Sequence, residues 1–262
     1  MSEIQDRLLA RFLRYTAIGT QSDHVKADEG IFPSSENQRE FARTLVEELA
    51  EIGLADVTLD GNGYVLARIP ATPGRENKPS FGLSAHMDTA SDAPGDGVKP
   101  TVHREWTGSR IDLSGGFVVD PAADKELAAC GTCAKESGKS DTIITSDGTT
   151  LLGADDKAGI AGIVTLAEFL LQNPGVEHGP IEILFSPDEE TGHGMDRVPL
   201  AELRSRAFYT VDGGALGELE SECFNAWKAE ITFTGVSAHL GAARGKMVNA
   251  VSMAASFVDS LP

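Results

Sequence analysis

The chain has 262 residues and a formal net charge of −18, a size that fits one large domain or one domain and part of another. The acidic surplus disfavours nucleic acid as a partner, because phosphates are met by clusters of Lys and Arg. No apolar run reaches the roughly 18 residues that a membrane-spanning helix needs.

The first segment, Met1-Ser2-Glu3-Ile4-Gln5-Asp6-Arg7, has no apolar signal core, so a cytoplasmic protein is expected. Ile4, Leu8, Leu9, Phe12 and Leu13 recur at helical spacing over residues 4–16. Ser34-Ser35-Glu36 opens a second helix that carries Phe41, Leu45, Val46, Leu49 and Ile52 on one face, and Gly53 is placed to stop it. Val57-Thr58-Leu59, the turn Gly61-Asn62-Gly63 and Tyr64 to Ile69 read as a hairpin. An apolar run from Pro79 to Ala85 ends at His86.

From Asp88 to Asp141 the scattered Gly, Pro and Asp residues predict a long loop, which in a compact domain is functional or an insertion. Cys130 and Cys133 lie in it at CxxC spacing, and Cys223 makes the count odd. A disulfide framework is not expected, and a structural zinc site lacks its second ligand pair. A surface insertion is the plainer reading; a redox or metal-binding pair is the alternative.

Thr142 to Thr145 is a strand. Asp155 to Gln172 is the strongest helix of the chain, ended by Asn173-Pro174-Gly175. Ile181 to Phe185 is a strand running into Asp188-Glu189-Glu190, and Ala207 to Val211 is another running into Asp212. Such alternation predicts an α/β sheet with helices on both faces. Ligands of open α/β sheets sit beyond the carboxyl ends of the strands. Near Trp227 the texture changes. Lys228 to Gly235 alternates with period two, and Met247 to Leu261 is helical, as in the first strand and helix of a second domain. The expected division is 1–225 and 226–262.

Four clusters carry chemistry, and each has a bland reading beside it. His86 and Asp88 share one side of an extended segment: a metal ligand with its orienting carboxylate, or a surface pair. Asp155-Asp156-Lys157 opens a helix: a rigid bridging carboxylate, or an N-cap. Asp188-Glu189-Glu190 crowds three acids: a ligand beside a general base, or a solvated turn. Asp212 stands before Gly213-Gly214: a ligand, or a turn residue. Their shared position at strand ends and a helix start favours convergence on a hydrolytic metal pair.

Ser84-Ala85-His86-Met87-Asp88-Thr89, Leu151 to Ala161 (with Gly153-Ala154-Asp155-Asp156-Lys157), Phe185 to Gly192 and Tyr209 to Gly214 resemble the M20 metallopeptidase family, and within it the tripeptide aminopeptidases. The resemblance runs from the first helix to the end of the chain. It implies a zinc-exopeptidase-like catalytic domain, a mixed sheet sandwiched by helices, followed by the start of an α+β lid and dimerisation domain. It implies two zinc ions bridged by Asp155, one held also by His86 and Asp212 and the other also by Glu190. Glu189 is then the general base and Asp88 the orienting residue.

A further family His that completes the second zinc has no match here, so the chain is expected to be C-terminally truncated and its second site incomplete. Gly235 to His239 matches the lid segment whose His reaches toward substrate, with Leu240 where a Pro is usual. Ala123 to Ser140 has no recognised counterpart. The implied substrate is a tripeptide that loses its N-terminal residue, with a homodimer through the lid and no nucleic-acid or membrane partner. The alternatives are another dipeptidase or deacylase of this family, or a chain that binds metal without turnover.

Overall fold

A computed structural model describes residues 2–138, 141–214, 217–223, 225, 227 and 229–261; for 133–135 and 137 it describes the backbone alone. The chain divides into two compact units, Met1–Leu216 and Gly217–Pro262.

The first unit runs α1 (Glu3–Thr16), α2 (His24–Asp28), α3 (Glu36–Glu51), β1 (Asp56–Leu59), β2 (Val65–Ile69), β3 (Phe81–His86), β4 (Thr101–Trp106), β5 (Ile111–Asp112), β6 (Val118–Val119), α4 (Lys125–Ser137), β7 (Asp141–Thr145), α5 (Ala154–Gln172), β8 (Ile181–Ser186) and β9 (Phe208–Thr210). Five strands form one sheet in the order β1-β2-β8-β3-β9. The β1, β2 and β8 neighbours are antiparallel, whereas β3 runs parallel to both β8 and β9. The sheet is therefore mixed, as expected.

Alternation along the strands sets the two faces. Val65, Ala67, Ile69, Ala85, Ile181, Ile183 and Phe185 join one buried cluster with Phe12 and Tyr15 of α1, Phe41, Leu45 and Leu49 of α3, and Ile160, Ile163, Val164 and Ala167 of α5. The periodic faces read from the sequence thus meet one side of the sheet. A charged network stitches the three helices together above it. Arg11 Nε lies 2.8 Å from Glu48 and its NH2 group 2.6 Å from Glu168, and Tyr15 donates to Glu48 at 2.6 Å. The other face carries Ser84, His86, Leu184, Ser186, Phe208 and Thr210. Among the described residues its cover is irregular chain (Met195, Val198, Leu200 and Leu203) and not a helix.

The expected loop from Asp88 to Asp141 is ordered in good part. It holds β4 paired with β7, the small β5–β6 ribbon, and α4. Asp124 caps α4 by accepting from Leu127 N, and Gly138 closes it at φ 66°. Both signals sit among polar residues, so apolar periodicity does not show them. Cys130 is exposed on α4, while the Cys133 side chain lies outside the described residues. The short α2, capped by Asp23, was not foreseen either.

In the second unit the expected strand is not formed over 229–235, and Lys228 lies outside the described residues. Among the described residues the pairing there is a single bridge between Val236 and Val248. A strand needs a partner along its length, and period-two patterning alone does not supply one. The helix follows as α6 (Ala250–Asp259), with Asn249 capping the amides of Val251 and Ser252. Phe257 of α6 packs against Phe233, their ring centroids 5.7 Å apart. No helix among the described residues is long and apolar enough to cross a membrane.

Candidate metal centre

Three strand ends and one helix start deliver the acidic and imidazole side chains to one place. The ladder between β3 and β8 continues one step through Met87 N to Ser186 O at 2.8 Å, and that between β3 and β9 through Val211 N to Ser84 O at 2.8 Å. These two bonds carry His86, the 187–190 segment and Asp212 out of the sheet side by side. α5 supplies the fourth element. Its first residues, Asp155 and Asp156, have non-helical dihedral angles, so the regular helix begins after them. Asp155 therefore projects outward with its side chain 69 % exposed, while Asp156 turns inward. A Cβ on Gly159 would stand 2.0 Å from Val211 O, so the bare glycine lets α5 approach the segment leading to Asp212.

His86 is 2 % exposed. Its Nε2 lies 2.8 Å from Asp155 Oδ1, 3.7 Å from Asp212 Oδ2 and 4.0 Å from Glu189 Oε2. Its Nδ1 faces the backbone oxygen of Asp88 at 3.0 Å and the Asp88 carboxylate at 3.3 Å. With the ring proton on Nδ1, donated to Asp88, the Nε2 lone pair points to the acidic groups. Fully buried Asp88 also binds the loop beyond β8: its two carboxylate oxygens accept from Glu189 N at 2.9 Å and Glu190 N at 3.1 Å. One carboxylate thus fixes both the imidazole and the backbone that bears the two glutamates.

The acids raise one another's affinity for protons. Burial lifts the Asp212, Glu189 and Glu190 carboxyls above their ordinary range, and neighbouring Asp155 and Asp88 add to the effect. Burial opposes charge on His86 too, yet Asp88, Asp156 and Asp155 outweigh it and hold the imidazole up at about 10. So much negative charge about one imidazole is the condition a bound cation relieves. His86, Asp155 and Asp212 each offer a ligand atom, all within 4.8 Å of one another. One nitrogen and two oxygens match the three protein ligands of a catalytic zinc, so the donor set fits a divalent metal.

Of the residues singled out in the sequence, His86, Asp88, Asp155, Glu189, Glu190 and Asp212 are brought together. Glu190 joins through its backbone and its charge; no three-ligand group among the described residues includes its side chain. His239 lies in the second unit, where its Nδ1 accepts from Gly241 N at 3.3 Å. Two buried acids escaped notice as individual residues. Asp156 accepts from His86 N at 3.1 Å and from Gly159 N at 3.1 Å, and burial pushes its carboxyl up to about 8. It takes the N-cap role that its neighbour Asp155 was weighed for. Asp188, fully buried, takes no part in the acid cluster and faces α3 instead. Adjacent acids carry no sign in the sequence of which one turns inward.

The peptidase dimerisation domain family matches residues 222–262. The chain is 45% identical over 261 residues to the peptidase T of Geobacillus kaustophilus, a match covering 99% of this chain and 61% of that protein. Against the peptidase T of Listeria welshimeri the identity is 44%, with the same coverage. The chain thus spans about 61% of the length of the curated relatives it matches. In fold the chain resembles the aminopeptidase PepT of Bacillus cereus, with TM-score 0.58 at 23% identity over 98% of this chain and 57% of that one. It also resembles a tripeptidase of Staphylococcus aureus, with TM-score 0.59 at 21% identity over 98% and 56%.

Proposed function

From a chain related to peptidase T along 99% of its own length, we propose that it carries the metal-binding and proton-transfer residues of a cytoplasmic metallo-aminopeptidase that releases the N-terminal residue of tripeptides. The observation that carries this reading is the convergence of His86 Nε2, Asp155 and Asp212 from three separate segments within 4.8 Å. In this reading residues 1–225 belong to the catalytic domain and 226–262 to the beginning of a lid and dimerisation domain, through which two copies associate.

The ions would be zinc, with Asp155 between two of them, His86 and Asp212 on one and Glu190 on the other; their chemistry is to acidify water and polarise the scissile carbonyl. Glu189 takes the water proton at its carboxylate and returns it to the leaving amine. Burial and the neighbouring carboxylates raise its proton affinity above the ordinary range, which makes it a stronger base. Asp88 holds the Nδ1 proton of His86 and keeps Nε2 free as a donor atom. His239 contacts the substrate.

The test is a calorimetric titration of zinc into the metal-free chain beside an Asp155→Ala control. Binding in the parent and none in the control supports the centre; equal binding in both, or none in either, removes it. Assays of tripeptides against dipeptides and N-acyl amino acids then decide the substrate class.

A further inference from the structure

Asp188 precedes the proposed general base by one residue, is fully buried, and turns the opposite way. Its Oδ2 accepts from Ser34 N at 2.7 Å. Its Oδ1 accepts from the Ser34 hydroxyl and from Gln38 Nε2, the latter at 2.8 Å. The Gln38 side chain closes the ring by accepting from Asp188 N at 3.0 Å. Ser34 and Gln38 flank the first turn of α3, whose N-cap Ser35 makes no side-chain cap bond of its own. The Asp188 carboxylate therefore sits where the helix dipole favours a negative charge.

Asp188 has φ 55°, a left-handed conformation uncommon for a residue with a Cβ and kept where the surroundings hold it. That reversal sends the Asp188 side chain back to α3 while Glu189 faces His86 and the Glu190 amide is held by Asp88. The far end of the segment is held as well: Tyr64 donates to Gly194 O at 2.8 Å and accepts from Arg197 N at 3.3 Å.

We propose that Ser34, Gln38 and Asp188 form a latch that fixes the strand-to-loop turn bearing Glu189 and Glu190, so that Ser34 and Gln38, far from the metal cluster in sequence, act as positioning residues of the site. The proposal rests on the metallopeptidase reading for its consequence, but its structural core stands without metal. Asp88 grips the Glu189 and Glu190 amides from the site side; the latch grips the preceding residue from the α3 side. With both in place the turn has one conformation, and loss of either leaves the glutamates free to swing.

Two measurements separate this from ordinary packing. Hydrogen exchange on the 262-residue chain without metal should show the Glu189 and Glu190 amides of Gln38→Ala and of the milder Ser34→Ala exchanging at least about tenfold faster, with β8 and α5 unchanged. Zinc titration of the same variants should show affinity weakened about 10- to 100-fold, the usual effect of losing a group that orients ligands, and Ser34→Thr should restore both. Arg43→Ala is the control: it removes an exposed ion pair with Glu36 on α3 and should change neither readout. Parent-like exchange in both alanine variants overturns the latch whether or not zinc binds. Faster exchange with no zinc binding in the parent keeps the latch and removes the metal reading. Faster exchange with unchanged zinc affinity limits the latch to the backbone and overturns its role in the site.

Discussion

At the residue scale the site depends on neighbours in sequence facing opposite ways. Asp155 projects and Asp156 is buried; Glu189 faces His86 and Asp188 faces α3. Glu189→Ala should therefore leave zinc binding within about twofold of the parent, since it removes no ligand of the three-atom group; loss of zinc binding in that variant would show Glu189 to be a ligand and not a base. Gly159→Ala tests the close approach instead. Its Cβ would meet Val211 O at 2.0 Å and Asp156 Oδ1 at 2.3 Å, so backbone must shift. Overpacking of this kind costs about 1–3 kcal/mol, to be read by urea denaturation, and the displaced Asp212 should weaken zinc binding as well. The sequence made the acidic clusters visible because they are dense and stand at strand ends. It did not sort the members of each pair, because that depends on one or two backbone dihedral angles at a helix start or a turn.

At the scale of elements, α1, α3 and α5 are joined by ion pairs as well as by apolar faces. Burial works against the charged form of Glu48, but hydrogen bonds from Arg14, Tyr15 and Arg11 outweigh it and hold its pKa below the ordinary 4.5. A carboxyl whose folded pKa is depressed stabilises the fold at pH above its unfolded value, and that contribution is lost as pH falls through the folded one. Glu48→Gln should thus destabilise the protein by on the order of 3 kcal/mol at neutral pH, and the gap from the parent should close as the pH is lowered well below 4.5. A gap independent of pH would mean that the carboxylate acts by shape alone. The three helices were legible because each repeats apolar residues on one face. Helix α4 was not: its ends are set by Asp124 and Gly138, and polar residues on an exposed helix carry little periodic signal.

At the scale of the molecule, the buried residues lie in the unit Met1–Leu216, and none of the described residues of Gly217–Pro262 is buried. Hydrophobic stabilisation follows the area removed from water. Ending the chain at Leu216 should accordingly shift the thermal midpoint little, and scanning calorimetry of the two lengths checks it. A large drop would mean that the second unit is required for the stability of the first. The charge of −18 favours solubility and steers cations toward the protein, consistent with a site built mainly of carboxylates.

The sequence by itself determined the alternation of helices and strands, the α/β class, and the residues able to hold a cation, since periodicity, caps and residue chemistry are local. Tertiary structure alone decided the strand order β1-β2-β8-β3-β9, the gathering of the helices on one face, and the inward turn of Asp156 and Asp188. It also decided that 229–235 forms no strand. These outcomes rest on contacts between segments distant in the chain: a strand exists only if a partner is present, and a carboxylate is buried only where donors from another element await it.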